Sequence, residues 1–168
     1  MPALEQITQA NVFAYKEVRL WALQDSPRAF GSTYAREAQF SDADWVQRTA
    51  NLNTERSVGY LAVDRGSYCG IAGAFLDEQD PQQAELVSMW VAPAARRTGL
   101  GRILINAIRS WSTMRGVHTL QLMVTSENLS AIKFYERNGF SMTGHTEPYP
   151  NDPAIFEYEM SLRLFGPA

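Results

Sequence analysis

The middle of the chain alternates apolar runs with a helical pattern, and this alternation constrains the fold more than any other feature. One apolar run ends at Val91, and a second occupies residues 119–124. Between them, apolar side chains recur at helical spacing through about three turns. The apolar positions of this predicted helix are Leu100, Ile103, Leu104, Ala107, Ile108 and Trp111. Because two strands joined through a helix lie parallel, with a right-handed crossover, we predict a sheet with a parallel centre.

The segments on either side of this centre predict antiparallel strands. Residues 58–64 and 68–76 are strand-like and are separated by a short Arg-Gly-Ser turn, a pattern typical of a hairpin. Residues 140–145 and 155–164 form two further strand patterns. The proline-rich segment between them is interpreted as a loop. We therefore expect a mixed sheet with antiparallel edges.

Three further helices are predicted from the signals at their ends. Thr8 can cap a helix over residues 9–24, which an Asp-Ser-Pro sequence ends. Ser41, with Asp44 three residues later, resembles a capping box at the start of a short helix. A last helix stops at Gly139, because glycine adopts the left-handed conformation that often ends helices.

Composition and charge argue against several classes of protein. The net charge of −3 and the scattered Lys and Arg residues argue against extended binding to nucleic acid. No apolar stretch is long enough for a membrane span, so we expect a cytoplasmic protein without a membrane partner. The single cysteine, Cys69, excludes an intrachain disulfide and is interpreted as a buried structural thiol. His118 and His145 lack the spacing of metal ligands, so no metal is expected.

The segment after Val91 is a candidate phosphate-binding turn. It reads Ala-Pro-Ala-Ala-Arg-Arg-Thr-Gly-Leu-Gly and places free amides and positive side chains at a helix N-terminus. It does not match the P-loop, because Gly101 is followed by Arg-Ile, nor the dinucleotide fingerprint, because Leu104 stands where a third glycine is needed. A glycine turn made for steric reasons alone remains the alternative.

Two sequence blocks, taken together, resemble a known family. Arg96-x-x-Gly99-x-Gly101 resembles the acetyl-CoA-binding motif of the GNAT superfamily of N-acetyltransferases. The block from Asn128 to Phe140, with its Tyr-Glu-x-x-Gly-Phe sequence, is similar to a second motif of that superfamily. The resemblance covers roughly residues 85–140.

The resemblance implies one GNAT domain over residues 1–168, of the α+β class. The implied sheet is mixed, mostly antiparallel and twisted, with about six to seven strands and about four flanking helices. It is splayed between its fourth and fifth strands, here the strand ending at Val91 and the strand over residues 119–124.

The resemblance also implies acetyl-CoA as cosubstrate, with its pantetheine arm in the split and its pyrophosphate on the turn. Asn128 is either a helix cap, a pantetheine ligand or both, and Lys133 either contacts a phosphate or is solvated. A branched side chain at Gly99 or Gly101 is expected to obstruct the phosphate. The residues expected to bind acetyl-CoA are Met89, Trp90, Val91, Arg96, Arg97, Thr98, Gly99, Leu100, Gly101, Arg102, Asn128, Lys133 and Tyr135.

Two residues are candidates for the chemistry of direct acetyl transfer to a primary amine. A lysine-like amine, with a pKa of ~10.4, needs a base at neutral pH, and Glu85 is the candidate; a solvated glutamate at a strand end is the alternative. Tyr135 matches the superfamily's general-acid tyrosine, which protonates the departing thiolate. Its alternative is a tyrosine packed on the sheet.

The acceptor is expected to be the amine of a small molecule. Arg28, Phe30, Tyr34 and Tyr149 are candidates for its pocket, with packing between helices as the alternative. A protein Lys or N-terminal amine is a second hypothesis, and an inactive CoA-binding module is a third. The sequence is compatible with a homodimer.

Overall fold

A computed structural model of the chain describes residues 2–165, in which one open sheet is flanked by helices. The strands are β1 (Ala3–Gln6), β2 (Asn53–Thr54), β3 (Ser57–Asp64), β4 (Ser67–Leu76), β5 (Gln83–Val91), β6 (Thr119–Thr125), β7 (Ser141–Tyr149) and β8 (Asp152–Arg163). The helices are α1 (Val12–Asp25), α2 (Tyr34–Glu37), α3 (Asp42–Asn51), α4 (Leu100–Met114) and α5 (Leu129–Arg137).

The sheet is mostly antiparallel, as expected for this fold class. Its strand order is β1-β3-β4-β5-β6-β8-β7, and β2 pairs with β3. Within the described residues, the parallel pair is β5 with β6, the two strands that α4 connects. The prediction of a parallel centre with antiparallel edges is therefore confirmed. The strands and the helix beyond the expected number are short: β1 has four residues, β2 two and α2 four, too few to produce a sequence period.

The predicted cap at Thr8 and the predicted capping box at Ser41 are both present, and the Thr8 cap is also a capping box. Thr8 accepts a hydrogen bond from the Ala10 amide, and the side chain of Asn11 accepts one from the Thr8 amide, at the short 3-10 turn that leads into α1. Ser41 accepts from the Asp44 amide at 3.2 Å, and the Asp44 carboxylate accepts from the Ser41 amide at 2.9 Å. These bonds satisfy amides that have no partner within the helices. The helix α3 begins where the sequence indicates, whereas a 3-10 turn over Gln9–Asn11 occupies the first three residues of the predicted first helix and α1 begins at Val12.

The C-terminal hairpin is longer than predicted. β7 extends to Tyr149 and β8 begins at Asp152, so the segment interpreted as a proline-rich loop is mostly strand. Pro148 pairs with Phe156 in the ladder. Proline is tolerated there because β7 lies at the edge of the sheet and needs no donor on its outer side.

Helices cover opposite faces of the sheet. A Cβ atom at Gly70 would lie 3.2 Å from Leu104 of α4, whereas one at Gly73 would lie 3.7 Å from Leu52, just after α3. Residues 70 and 73 lie on opposite faces of β4. In α4, Ile105 is buried, and Ile103, predicted on the core face, is 37% exposed. Since both are isoleucines, the sequence pattern could not decide between them.

Among residues 2–165, no group of His, Cys, Asp or Glu side chains is arranged to hold a metal ion. No helix in this described part is both long and apolar enough to cross a membrane.

Candidate active site

The sheet opens between β5 and β6. The two strands pair from Gln83 and Thr119 to Glu85 and Gln121 and then diverge. β5 continues beside β4, and β6 continues beside β8, so each strand presents an unpaired edge to the opening. The expected splay is therefore confirmed, and Glu85 is the last paired residue before it.

A β-bulge bends β5 along this opening. Ile71 pairs with Trp90 and Gly73 with Val87, so β5 has one more residue than β4 in this interval. Ser88 lies within the bulge at a φ of 58°, a left-handed conformation that residues other than Gly, Asn and Asp rarely adopt. Bulges of this kind increase strand twist and redirect the residues that follow. The bulge therefore orients the segment that lines the split.

The turn after β5 presents a row of unpaired amides. Gly99 caps α4 with a φ of 88°, and the first hydrogen bond of the helix joins the Ile103 amide to the Gly99 carbonyl. Within residues 2–165, the six amides from Arg97 to Arg102 donate to no acceptor. An N-terminus with free amides attracts anions, so this turn is a suitable place for a phosphate group.

Glycine is needed at the two positions of the turn for different structural reasons. A Cβ at Gly101 would lie 2.8 Å from Phe134 Cζ and 3.4 Å from Met89 Cε. Gly101 thus allows α4 to approach α5 and β5, which is a packing reason for glycine separate from the expected room for phosphate. Around Gly99 there is open space, and its positive φ is what requires glycine.

The arginines of the turn have separate partners. Arg96 donates to the Val91 carbonyl at 2.9 Å and to Asp25 Oδ2 at 2.6 Å. Asp25 also accepts from the Trp90 indole at 2.9 Å. Although burial opposes it, these hydrogen bonds hold the pKa of Asp25 below its ordinary value. Arg96 therefore ties the turn to the end of α1.

The remaining expected cosubstrate residues differ in what they present. Arg97 and Arg102 are exposed, and within the described chain neither forms an ion pair. Leu100 is buried, so it offers only its backbone to a ligand. The Thr98 hydroxyl donates to the Ala95 carbonyl. Lys133 is exposed on α5.

Asn128 caps α5. Its side-chain oxygen accepts from the Ala131 amide at 3.2 Å, so the capping alternative is present in the structure. The cap positions α5 directly after β6, with Phe134 against the start of α4.

Tyr135 lies on the inner side of α5. It is 8% exposed and its ring contacts those of Phe134 and Phe140 at centroid distances of 5.5 and 5.7 Å. Burial raises the pKa of Tyr135 above its ordinary value, so the phenol is protonated at neutral pH. No hydrogen-bond partner for its hydroxyl occurs among residues 2–165, which leaves the proton available to a ligand.

Glu85 is half-buried on the face of the sheet opposite α4. It pairs with Phe75 on one side and Gln121 on the other, and directly opposed residues share a face. Burial raises the pKa of Glu85, and nearby negative charges raise it further. These charges belong to Glu147, Glu157, Glu159 and Asp77. The group is therefore a stronger base than an exposed carboxylate and stands in a negative field.

The candidate acceptor residues divide into packed and exposed side chains. Tyr149 is buried, and its hydroxyl donates to the carbonyls of Pro27 and Phe30. The guanidinium carbon of Arg19 lies 5.0 Å from the centroid of the Phe30 ring. Arg28 is exposed and pairs with Glu127 at 2.7 Å, and Tyr34 is 39% exposed.

Sequence reasoning missed a network of buried polar groups beside the bulge. Arg19 of α1 donates twice to Glu37 and once to Ser88. The role of Asn151 was also not predicted. Its side-chain amide donates to the carbonyls of Phe30 and Ser32 and so joins the β7–β8 turn to the segment after α1. Contacts between such distant positions leave no periodic signal in the sequence.

Comparisons with known proteins identify the family to which the chain is similar. A model of the acetyltransferase (GNAT) family matches residues 16–140, more than half of the chain. N-acetyltransferase family 8 member 3 of Rattus norvegicus is 29% identical over 131 residues, which cover 76% of this chain and 55% of that protein. The ribosomal protein bS18-alanine N-acetyltransferase of Escherichia coli is 34% identical over 100 residues, which cover 58% of this chain and 64% of that protein.

A solved structure has the same fold. The acetyltransferase of the GNAT family from Streptococcus pneumoniae superposes with a TM-score of 0.79, covering 97% of this chain and 99% of that chain at 18% identity. The family model spans the split, the phosphate turn and the helix that carries Tyr135. The chain belongs to the acetyltransferase (GNAT) family.

Proposed function

We propose that the protein is an acetyl-CoA-dependent N-acetyltransferase that transfers the acetyl group directly to a primary amine. The observation that carries this proposal is the split between β5 and β6, which opens at Glu85 and leads to the free amides of the α4 N-terminus. An amide-bearing ligand can pair with an opened sheet edge, and a phosphate fits a helix N-terminus.

The pantetheine arm of acetyl-CoA lies in the split, along the backbone from Met89 to Val91. The pyrophosphate lies on the amides from Arg97 to Arg102, with the side chains of Arg97 and Arg102 adding positive charge. Arg96 stabilises this turn by donating hydrogen bonds to Asp25 and to the Val91 carbonyl. Acetyl-CoA supplies the acetyl thioester, and the protein supplies position and proton transfer.

Glu85 acts as the general base, directly or through water. Deprotonating a lysine-like ammonium at pH 7 costs about 4–5 kcal/mol, so an acceptor of that kind requires a base. The raised pKa of Glu85 supports the assignment, because a base is most effective when its pKa approaches the working pH.

Tyr135 acts as the general acid toward the departing thiolate of CoA. Its protonated phenol, and its hydroxyl that has no partner in the part of the chain that the structure describes, support this role. No covalent enzyme intermediate is needed, because the amine can be held in line with the thioester.

The acceptor is a cationic amine of a small molecule. Gln121 of β6 pairs with Glu85 and therefore shares its face of the sheet. The residues of β6 that pair with Glu157 and Glu159 are separated from Gln121 by an even number of positions, so Glu157 and Glu159 lie on that same face. Glu147 pairs with Glu157 and adds to this field. A negative field at the base favours an acceptor that arrives as an ammonium ion.

A protein N-terminus is the second candidate acceptor. The specific observation that favours it is the similarity to the Escherichia coli relative, whose name assigns it ribosomal protein bS18 alanine as substrate.

The test is thiol release from acetyl-CoA by the purified protein, measured with a panel of acceptors. The panel contains diamines, aminosugars, amino acids, and peptides with a free N-terminus or a single lysine. Turnover with small amines supports the proposal, and turnover with peptides alone supports the second candidate. Tight acetyl-CoA binding without turnover on any acceptor would identify a binding module and overturn both.

A further inference from the structure

The side chain of a buried arginine contacts the β5 bulge. The Arg19 Nη1 atom lies 3.0 Å from the Ser88 hydroxyl oxygen. The Arg19 Nε and Nη2 atoms each lie 2.9 Å from an oxygen of Glu37, which makes a two-pronged ion pair. Arg19 is 6% exposed and Glu37 is fully buried. One guanidinium thus joins α1, α2 and the bulge.

Burying an ion pair in this space carries a large free-energy cost of desolvation. Apolar residues of similar size often stabilise a fold equally well or better, because they avoid the desolvation of two charges. An apolar pair would, however, offer no donor to Ser88. The charge therefore has a geometric use: it supplies a strong, directed hydrogen bond to a residue held in the left-handed conformation.

The same guanidinium also contacts the segment that contains the candidate acceptor residues. It lies 5.0 Å from the ring of Phe30, in the segment between α1 and α2. The Phe30 carbonyl accepts from Tyr149 and Asn151 of the C-terminal hairpin. The segment between α1 and α2 and the edge of β5 at the split are therefore both in contact with Arg19.

We propose that Arg19, held by Glu37, is a positioning residue that maintains the bulge at Ser88 and thereby presents the Met89–Val91 backbone to acetyl-CoA. The inference rests on the proposed function, since it assigns the split to the cosubstrate. Arg19 acts through Ser88 and takes no part in the chemistry.

Ser88 offers a sharp test, because alanine and glycine separate the hydrogen bond from the backbone strain. Ser88→Ala removes the bond and keeps a side chain that disfavours the left-handed conformation. Ser88→Gly removes the bond as well, yet glycine adopts this φ without strain. We expect Ser88→Ala to weaken acetyl-CoA binding about tenfold, as the loss of a charge-assisted hydrogen bond implies, and Ser88→Gly to restore most of the affinity. Parent-like dissociation constants in both variants would overturn the proposal.

A double replacement with a matched control tests the ion pair. Arg19→Met with Glu37→Leu should keep the melting temperature near that of the parent and weaken acetyl-CoA binding by about tenfold. The control is Arg48→Met, because Arg48 also contacts Glu37, at 3.4 Å, and does not contact Ser88. We expect this control to retain the parent's acetyl-CoA affinity. Equal losses of affinity in the control and the double variant would assign the network a purely structural role and overturn the proposal.

Hydrogen exchange in the absence of ligand separates this inference from the proposed function. The Ser88→Ala variant should exchange its amides faster over residues 86–91, while exchange in β8 stays unchanged. Unchanged exchange over residues 86–91 would refute the positioning role even if the parent binds acetyl-CoA. A parent that fails to bind acetyl-CoA would refute the proposed function, and the exchange result would still decide whether Arg19 maintains the bulge.

Discussion

Gly101 provides the sharpest test of how the phosphate turn is built. In Gly101→Ala, the new Cβ would lie 2.8 Å from Phe134 Cζ, 3.0 Å from Phe134 Cε1 and 3.4 Å from Met89 Cε. Carbon atoms in contact prefer separations of about 3.5–4.0 Å, so α4 and the Phe134 ring must move apart by more than half an ångström. Overpacking of this size destabilises a fold by about 1–3 kcal/mol.

The separation of α4 from α5 also displaces the amides at the start of α4. We therefore expect Gly101→Ala to unfold at a lower denaturant concentration and to bind acetyl-CoA more weakly. Urea unfolding measures the first effect and titration calorimetry the second. Gly99→Ala is the matched control for a methyl group in the same turn: it meets open space, and its penalty of about 1–2 kcal/mol arises from its φ of 88°.

A second substitution identifies the cause. Phe134→Leu shortens the side chain that the new Cβ meets, so the double variant Gly101→Ala with Phe134→Leu should recover both stability and affinity. We expect a coupling free energy of about 1 kcal/mol or more in a double-mutant cycle. If stability recovers and acetyl-CoA affinity does not, the methyl group blocks the phosphate itself, and the packing explanation is wrong.

Three other predictions concern catalysis and pH. Tyr135→Phe should lower kcat while leaving the acetyl-CoA dissociation constant unchanged, because the ring packing is retained and only the proton donor is lost; unaltered turnover would remove Tyr135 as the acid. Glu85→Gln should reduce the acetylation rate most at the acidic end of the pH–rate profile. Above the raised pKa of Glu85 the parent can deprotonate the bound ammonium, whereas the variant depends on free amine and loses about tenfold per pH unit; overlapping pH–rate profiles would exclude Glu85 as the base. Asp25→Asn should flatten the acid side of the stability profile. Because folding lowers the pKa of Asp25, its charged form stabilises the fold above the unfolded pKa, and this stabilisation is lost as pH falls; between about pH 5 and pH 3 the melting temperature of the parent should drop more than that of the variant.

Features that depend on neighbouring residues could be predicted from the sequence. The caps at Thr8 and Ser41 use hydrogen bonds within three residues, so residue type and spacing were sufficient to place them. The order of strand, turn, helix and strand around α4 was equally local, and it implied the parallel pair. The two motif blocks indicated the family and the place of the phosphate turn.

Features that depend on distant partners could not be predicted. The extension of β7 through Pro148 follows from its place at the sheet edge, which the local sequence does not reveal. The burial of Ile105 rather than Ile103 depends on the rotation of α4 against the sheet. The acidic surroundings of Glu85 form because β8 lies next to β6 and brings in Glu157 and Glu159 from the end of the chain.

The sequence by itself therefore determined the longer elements, their order and the turn suited to phosphate, because short-range hydrogen bonds and periodic burial are recorded in neighbouring residues. Only the tertiary structure decided the shape of the split. The bulge at Ser88 is held by Arg19, which lies 69 positions away. A left-handed serine supported by a buried charge has no signature in local sequence, because its conformation depends on a partner that only folding brings into contact.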